Sequence, residues 1–599
     1  MTHTQTWRAD HLIRVIAMIL LLSLLQACGT QSDDSSDKSK AQDAASIQAE
    51  IIIKSTADPT PEEASRFLMQ ATFGPKESEI TALDTSSMDA WLTAQFALPR
   101  QSHYDYVWNL RTQGVDIDNF SNIYTIESFW KQAITGQDQL RQRSTWALSQ
   151  IFVVGEQDNV RNAAYYDLLA ENAFGNYRTL LEKVTLSPAM GQWLSMIGNQ
   201  KEDLATGRLP DENYAREVMQ LFSIGLWQLN ADGTRKLDAN NQPIPTYTQD
   251  DIRGMAKVLT GWSYANCNPV QESWYCIDSA RNGYYRIYDN TPDHSPAPVP
   301  LDKTQVYRDV TKQLTAIPAY HSTSEKKIVG GVVLAAGRTA EQDLKDGLDT
   351  LFNHPNVGPF FGRQLIQRLV KSNPSPAYVG RISAVFANNG QGVRGDLKAV
   401  IKAILLDPEA RDIAQATTTT AGKLREPVLR LSHYLRAFTV PDGATPRYDI
   451  NPWWMEEVFA QRPLTSASVF NYYSPAYLPP GEMASNNLVG PEFQIYHEST
   501  LVDSHNFIEY WLTNDPSTEA GNVPSFKHNY ATYIALASNP TALVDKLNLI
   551  MTSNTLSPEA RTSIITAVTN VPAGTNQARD RFRMAIMLFE ISPDYLIQK

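Results

Sequence analysis

Only three cysteines stand among 599 residues, so a disulfide-built scaffold is excluded. Basic residues are outnumbered, 52 Lys and Arg against 64 Asp and Glu, for a formal net charge of −12. That balance excludes a nucleic-acid binder that depends on phosphate contacts. Past the N-terminus no apolar run reaches the ~18 residues of a membrane-spanning helix. A Gly-x-Ser-x-Gly elbow, a His-Glu-x-x-His helix and a Gly-x-x-x-x-Gly-Lys loop are missing, and His497-Glu498 has no second histidine four residues on. Asp238 to Gln242 faintly resembles a calcium loop. It lacks Gly at the sixth position and has Gln249 where the bidentate Glu belongs, so an EF-hand is excluded. No repeat of fixed period runs through the chain. What remains is ordinary globular composition, 42% hydrophobic, 10% aromatic and 19% charged, in a chain long enough to bury a large core.

The N-terminus reads as an address. Arg8 and Arg14 precede a nearly unbroken apolar run over residues 15–25, too short to span a bilayer comfortably and followed by small and polar residues. It ends in Leu25-Gln26-Ala27-Cys28, which resembles the lipobox of bacterial lipoproteins. The resemblance implies cleavage before Cys28 and acylation of that residue, with several acyl chains giving stable membrane anchoring. Gly29 stands where an Asp would retain the protein in the inner membrane, which points to the outer membrane, periplasmic or surface-facing. Residues 1–27 are thus expected to be a signal peptide. Residues 28–59, with Asp33, Asp34, Asp37 and many Ser, Gln and Ala, are an anchored tether. Cys267 and Cys276 flank a loop-like stretch and are expected to pair in an oxidising compartment, for about 2.5–3 kcal/mol.

The body, 60–599, reads as mainly α, a multi-helical globular body with minor β-hairpins and long loops. Thr60-Pro61-Glu62-Glu63 is a capping box with Pro at the first helical position. Ala64, Phe67, Leu68 and Ala71 make one apolar stripe, and Gly74-Pro75 stops it. Amphipathic helices are expected over 88–96, 139–154, 163–174, 177–184, 340–352, 356–371, 375–388, 395–406, 420–438, 497–513 and 579–590. Residues 227–234 read as a strand and an Asp-Gly turn. A Pro- and Tyr-rich excursion near 264–335 and a loop-rich region over 440–495 mark places where the body subdivides.

Several segments together look like the large bacterial DUF1800 family, named for its unknown function. They are 66–75, from Arg66-Phe67-Leu68 to Gly74-Pro75, and 210–222, containing Asp211-Glu212-Asn213-Tyr214-Ala215-Arg216-Glu217. Next come Tyr247-Thr248-Gln249-Asp250-Asp251, then Leu259-Thr260-Gly261-Trp262, and Tyr320-His321 running to Lys326. His354-Pro355-Asn356 with Arg363-Gln364-Leu365, and the ending 592–599, complete the set. The resemblance covers nearly all of 60–599. It implies an exported, largely helical protein, commonly encoded beside another exported family similar to alkaline phosphatases and sulfatases, and it brings no reaction with it. Two departures stand out. Ser322 replaces the Asp that usually follows the histidine, and the helix 146–152, from Trp146 to Phe152, lacks the histidine of the family's Trp-x-x-His-Phe.

Asn213, Arg216, Glu217 and Gln220 fall at i, i+3, i+4 and i+7, one polar stripe on a helix expected to start at Pro210 or Asp211, with Tyr214, Val218, Leu221 and Phe222 on its buried face. Facing a cleft, Glu217 would serve as base or ligand and Arg216 as an anion clamp. Facing a neighbour or solvent, the stripe is a salt-bridge network. Thr248 with Asp251 is a second capping box, which leaves Asp250 and Arg253 without a structural task. His321, Ser322, Ser324 and Lys326 suit a phosphate, sulfate or carboxylate, or else form an idle surface loop. His354 reads as a packing or capping residue, and Arg363 and Arg368 as helix-surface charges. Trp453-Trp454, Tyr472-Tyr473 and Tyr284-Tyr285 with Tyr288 are sugar-stacking candidates or core.

Two functions follow. One is a lipid-anchored binding or assembly protein for a cell-envelope or extracellular polymer such as a polysaccharide, or for an exported phosphatase- or sulfatase-like partner. The other is a hydrolase on an anionic or carbohydrate substrate, with Glu217, Asp250 and His321 as acid, base or metal ligands and Asn213, Arg216 and Lys326 binding substrate. A divalent metal has no ligand motif to support it. Convergence of these side chains on one cleft separates the two functions.

Overall fold

The computed structural model describes residues 57–117, 122–265, 310–443, 446–450, 452–514 and 526–599. Cys28, Cys267 and Cys276, and with them the lipidation and disulfide expectations, lie outside the described residues, as do Tyr284, Tyr285 and Tyr288. Ser55–Lys599 forms one compact unit.

The fold is mainly α. Helix Pro61–Ala71 opens the body as its sequence predicts: the Thr60 hydroxyl accepts from the Glu63 N–H, and the Glu63 carboxylate accepts from the Thr60 N–H at 2.9 Å, a device of about 1 kcal/mol. Ala64, Phe67, Leu68 and Ala71 are all fully buried. A large hydrophobic core is built from helices Gln139–Ser149, Asn159–Asn172, Tyr177–Thr185, Gln249–Val258, Ala340–Asn353, Val357–Leu369, Pro376–Ala387 and Leu397–Leu406. At its centre the Tyr177 ring meets Phe361 and Phe386 edge-on, at 4.8 and 5.4 Å between centroids.

Strands among the described residues are two or three residues long and pair antiparallel. Trp262–Ser263 pairs with Thr315–Ala316, Lys326–Ile328 with Val332–Leu334, Lys423–Leu424 with Ile597–Gln598, and Thr439–Pro441 with Phe526–His528. Two of these ladders close contacts between segments more than eighty residues apart, so they act as clasps between helical layers. The expected strand at 227–234 reduces to isolated bridges, Trp227 with Pro245, Leu229 with Arg235 and Leu237 with Pro243. Gly233 supplies the left-handed turn residue there, at φ 78°. The prolines at 243 and 245 offer no N–H and keep the hairpin from forming a continuous ladder.

Two expectations need correction. The helix at 211–225 begins only at Asn213 and runs as an α-helix to Glu217. It then widens into a π-helical turn, Val218–Ser223, which turns Leu221 partly outward while Val218 and Phe222 stay buried. Arg368 is not a surface charge but a buried one. Tyr473 is buried and Tyr472 is packed on Trp146, rings 6.3 Å apart, so this pair is core and not a sugar platform.

Candidate functional site

Glu217 closes the short α-helical segment, and the π turn starts at the next residue. A π turn inserts one residue into a helix and is frequent at functional sites. The Glu217 residue is only 7% exposed, and its Oε2 is shielded from solvent without any hydrogen-bond partner. Burial pushes its carboxyl above the ordinary range, against the pull of Arg216. A buried carboxylate with no donor costs roughly 1–3 kcal/mol or more, and the fold retains it.

Around it stand polar side chains whose own bonds are long. The Arg216 Nη2 donates to Glu212 Oε2 at 3.3 Å and to Gln249 Oε1 at 3.4 Å, while Gln249 Nε2 holds the same Glu212 oxygen at 2.7 Å. The Tyr247 hydroxyl lies 3.5 Å from the Gln220 Oε1. Its phenol is pushed up to about 12 by burial, with the charges of Arg216 and Glu217 both acting on it. Arg216, Glu217, Gln220 and Tyr247 therefore share one neighbourhood, and Asn213 sits exposed at the start of the same segment.

Asp250 does not join them. Its side chain is 80% exposed and pairs with Arg253 at 3.1 Å, and Arg253 reaches on to Glu212 at 3.8 Å. Asp251 is the capping residue expected: its Oδ2 accepts from the Thr248 N–H at 2.7 Å. The six residues grouped for hydrolysis thus divide in three: Asn213, Arg216 and Glu217 on one short helical segment, Asp250 exposed beside Arg253, and His321 with Lys326 at Asp343.

His321 and Lys326 are interior. The helix Gln249–Val258 packs on strand Lys326–Ile328 so closely that a Cβ on Gly254 would overlap the Lys327 carbonyl oxygen. Gly261, at φ 82°, lies so close to His321 that a Cβ there would stand 2.8 Å from the His321 backbone nitrogen. The two ring nitrogens of His321 face acceptors, Nδ1 at 3.0 Å from the Thr260 carbonyl oxygen and Nε2 at 3.1 Å from Asp343 Oδ2. The Lys326 ammonium donates to the carbonyls of Ser322 and Ser324, at 2.7 and 2.9 Å, and pairs with Asp343 Oδ2 at 2.7 Å. Arg338 Nε takes the other oxygen, Asp343 Oδ1, at 2.6 Å. One fully buried carboxylate thus gathers three basic side chains, and Lys326 has no donor left for a ligand. Ser322 donates to Glu202 Oε1 at 3.0 Å.

Asp343 had no signal in the sequence. It lies seventeen residues beyond Lys326, in the first turn of helix Ala340–Asn353, and only the tertiary fold brings it to the histidine. His354 caps and packs as expected: its Nδ1 accepts from the Asn356 N–H at 3.2 Å, and burial beside Lys236 and Arg394 lowers it to about 4. Asp238 Oδ1 accepts from the backbone N–H groups of Asn240 and Gln242, both at 2.8 Å, and so braces its own turn.

Among the described residues no group of three or more His, Cys, Asp and Glu side chains is placed to hold a metal ion, and no helix is long and apolar enough to cross a membrane. No curated protein and no solved structure matches this chain. A family model described as a protein of unknown function, DUF1800, matches residues 66–597, a span that takes in the Glu217 turn, the His321–Asp343–Lys326 cluster and the C-terminal clasp. The chain belongs to the DUF1800 family.

Proposed function

We propose that this chain is an exported, lipid-anchored binding protein of the bacterial cell envelope that engages a polymer, or an exported partner, at the surface formed by Arg216, Glu217, Gln220 and Tyr247. The observation that carries this reading is the Glu217 carboxylate, buried beside the π turn with an oxygen that no donor among the described residues reaches. That oxygen is closed to solvent in this structure, so a ligand meets it by drawing Glu217 outward, and a hydroxyl, amide or ammonium N–H brought to it then offsets the cost of its burial. The neighbouring charges, Arg216 with Glu212 and Arg253 with Asp250, cancel pairwise. The surface therefore favours an uncharged, hydroxyl-rich chain such as a polysaccharide over a polyanion. The lipobox-like Leu25-Gln26-Ala27-Cys28 and the acidic tether behind it support the envelope location and the outer membrane.

The hydrolase built on Glu217, Asp250 and His321 has little support. Asp250 points to solvent, and His321 is engaged inside the core. Glu217 alone, with its carboxyl raised, keeps the chemistry of a general base, and the same experiment addresses it. The full chain in detergent is titrated calorimetrically with soluble fragments of peptidoglycan, lipopolysaccharide core and capsular polysaccharide, and the recovered ligand is weighed by mass spectrometry. Binding of one class, weakened tenfold or more in Glu217→Gln and with the ligand recovered intact, is the expected result. A cleaved ligand, with cleavage lost in Glu217→Gln, replaces binding with catalysis. If no fragment binds and Glu217→Gln only raises the melting temperature, the carboxylate is structural and the proposal fails.

A further inference from the structure

Three residues, His354-Pro355-Asn356, join helix Ala340–Asn353 to helix Val357–Leu369, and the fold brings two basic side chains to them. Asn356 staples the arch of residues 227–245 to this turn. Its Nδ2 donates to the Ile224 and Trp227 carbonyls at 2.9 and 2.7 Å, and its Oδ1 accepts from the Leu229 N–H at 2.9 Å. Lys236 lies across the arch, its N–H on the Gln228 carbonyl at 2.8 Å, with its ammonium near enough to act on the His354 ring. Arg394, just before helix Leu397–Leu406, gives Nε to the Phe352 carbonyl and Nη2 to the His354 carbonyl, both at 3.1 Å. Its guanidinium also rests on the rings of Phe352 and Phe386, at 5.4 and 5.2 Å, which fix its place.

Lys236, His354 and Arg394 are each half-buried and so reachable from solvent. Because His354 Nδ1 accepts from the Asn356 N–H at 3.2 Å, the proton of the neutral ring sits on Nε2. Among the described residues that N–H, the Lys236 ammonium and Arg394 Nη1 have no hydrogen-bond partner, and neither cation is ion-paired. The carboxylates nearest in sequence serve their own turns. Asp238 accepts from the Asn240 and Gln242 N–H groups, and Asp232 from the Thr234 N–H and hydroxyl at 2.9 and 2.6 Å. Asp396 accepts from the Ala399 N–H at 3.1 Å and the Asn389 amide at 2.7 Å. On the His354 ring, burial, Lys236 and Arg394 all act to lower it, with no carboxylate opposing. Partly buried arginines elsewhere in this acidic chain do meet acids, Arg178 with Asp349 at 2.6 Å and Arg381 with Asp407 at 2.7 Å. Two acid-free cations around a neutral imidazole N–H are a recognition set for an anion. The donors come singly from three side chains, and the Arg394 fork is already spent on carbonyls. That suits a tetrahedral oxyanion better than a planar carboxylate, which a free guanidinium fork would grip bidentately.

We infer that Lys236, His354 and Arg394 form a binding site for a phosphate or sulfate group, apart from the polymer surface at Glu217 and using none of its residues. Inorganic phosphate is the first probe and glucose 1-phosphate the second, each titrated calorimetrically into the full chain in detergent, near neutral pH and at constant ionic strength. Saturable binding is expected, weakened about tenfold in Lys236→Gln. The Lys236 ammonium makes no bond within the described residues, so that replacement leaves the fold standing. With phosphate bound, the His354 imidazole, followed by its own resonances, should titrate closer to the ordinary 6.5 than to the value of about 4 it has alone. Weak ion pairing at scattered surface cations would not move it. Tighter binding of glucose 1-phosphate assigns the recognised group to a sugar, and tighter binding of inorganic phosphate assigns it to the free ion. Absence of saturation with either probe overturns the inference. So does binding that Lys236→Gln leaves unchanged, or a His354 titration that phosphate does not shift. The polymer titration at Glu217 is a separate measurement, so the two readings stand or fall independently.

Discussion

Single residues here are governed by what burial does to charge. Glu590 is the sharpest case: it is buried, its carboxyl is pushed up to about 7, and Arg430 and Arg425 offset only part of that. The folded state therefore binds a proton that the unfolded chain releases near 4.5. Stability is full below the unfolded value, falls as pH rises from about 4.5 to 7, and is flat above. Glu590→Gln should remove that slope and, at pH 8, stabilise the protein by up to about 3 kcal/mol, measured by urea unfolding at pH 5 and pH 8. Equal unfolding midpoint differences at both pH values would refute it. His354 acts in the opposite sense. With its imidazole lowered to about 4, stability is lost as pH falls from about 6.5 toward 4, and His354→Asn should flatten that acid limb of the thermal melting curve. Asp343 is held by three buried or half-buried basic side chains, two of them the cations of Lys326 and Arg338. Asp343→Asn should cost about 3–5 kcal/mol, whereas a solvated loop would lose less than about 1 kcal/mol.

At the scale of elements, close approach decides the arrangement. Helix Gln249–Val258 and strand Lys326–Ile328 touch at Gly254, and Gly254→Ala should push them apart. A loss of more than about 2 kcal/mol is expected, with the His321–Asp343 contact weakened in the same variant, visible as a shift of the His321 imidazole resonances. The capping boxes at Thr60 and Thr248 were legible in the sequence because a cap is a matter of four consecutive residues. The π turn at Val218–Ser223 was not, since an α-period reading spaces Leu221 and Phe222 on the same buried face and cannot register an inserted residue. Arg368 looked like a surface charge for another reason. Its helix carries Gly358, Pro359 and Gly362, and which face neighbours cover is set by helices far off in sequence.

For the whole molecule the C-terminus is a fastener. Ile597–Gln598 pairs with Lys423–Leu424, and the Gln598 amide donates to the carbonyls of Leu369 and Val370 at 2.8 and 3.3 Å. A Cβ on Gly422 would overlap the Gln598 carbonyl. Tyr595, wholly buried, stacks under Arg425 at 4.5 Å. Deleting residues 593–599 should lower the melting temperature by ten degrees or more, on the order of the loss of a buried aromatic and a ladder together. A shift of only one or two degrees would show the tail to be an ornament.

Taken by itself, the sequence determined the class and the membership: short amphipathic periods with caps and Gly-Pro stops make helices, and the ordered set of segments from Arg66 to Lys599 marks the family. It also pointed to Glu217, through the spacing of a polar stripe. The tertiary structure alone decided which polar residues are spent. His321 and Lys326 were equivalent to Glu217 in the sequence, because a partner such as Asp343 is chosen in three dimensions. A carboxylate's availability is the difference between the donors around it and the donors that reach it. Only the packed chain sets that difference.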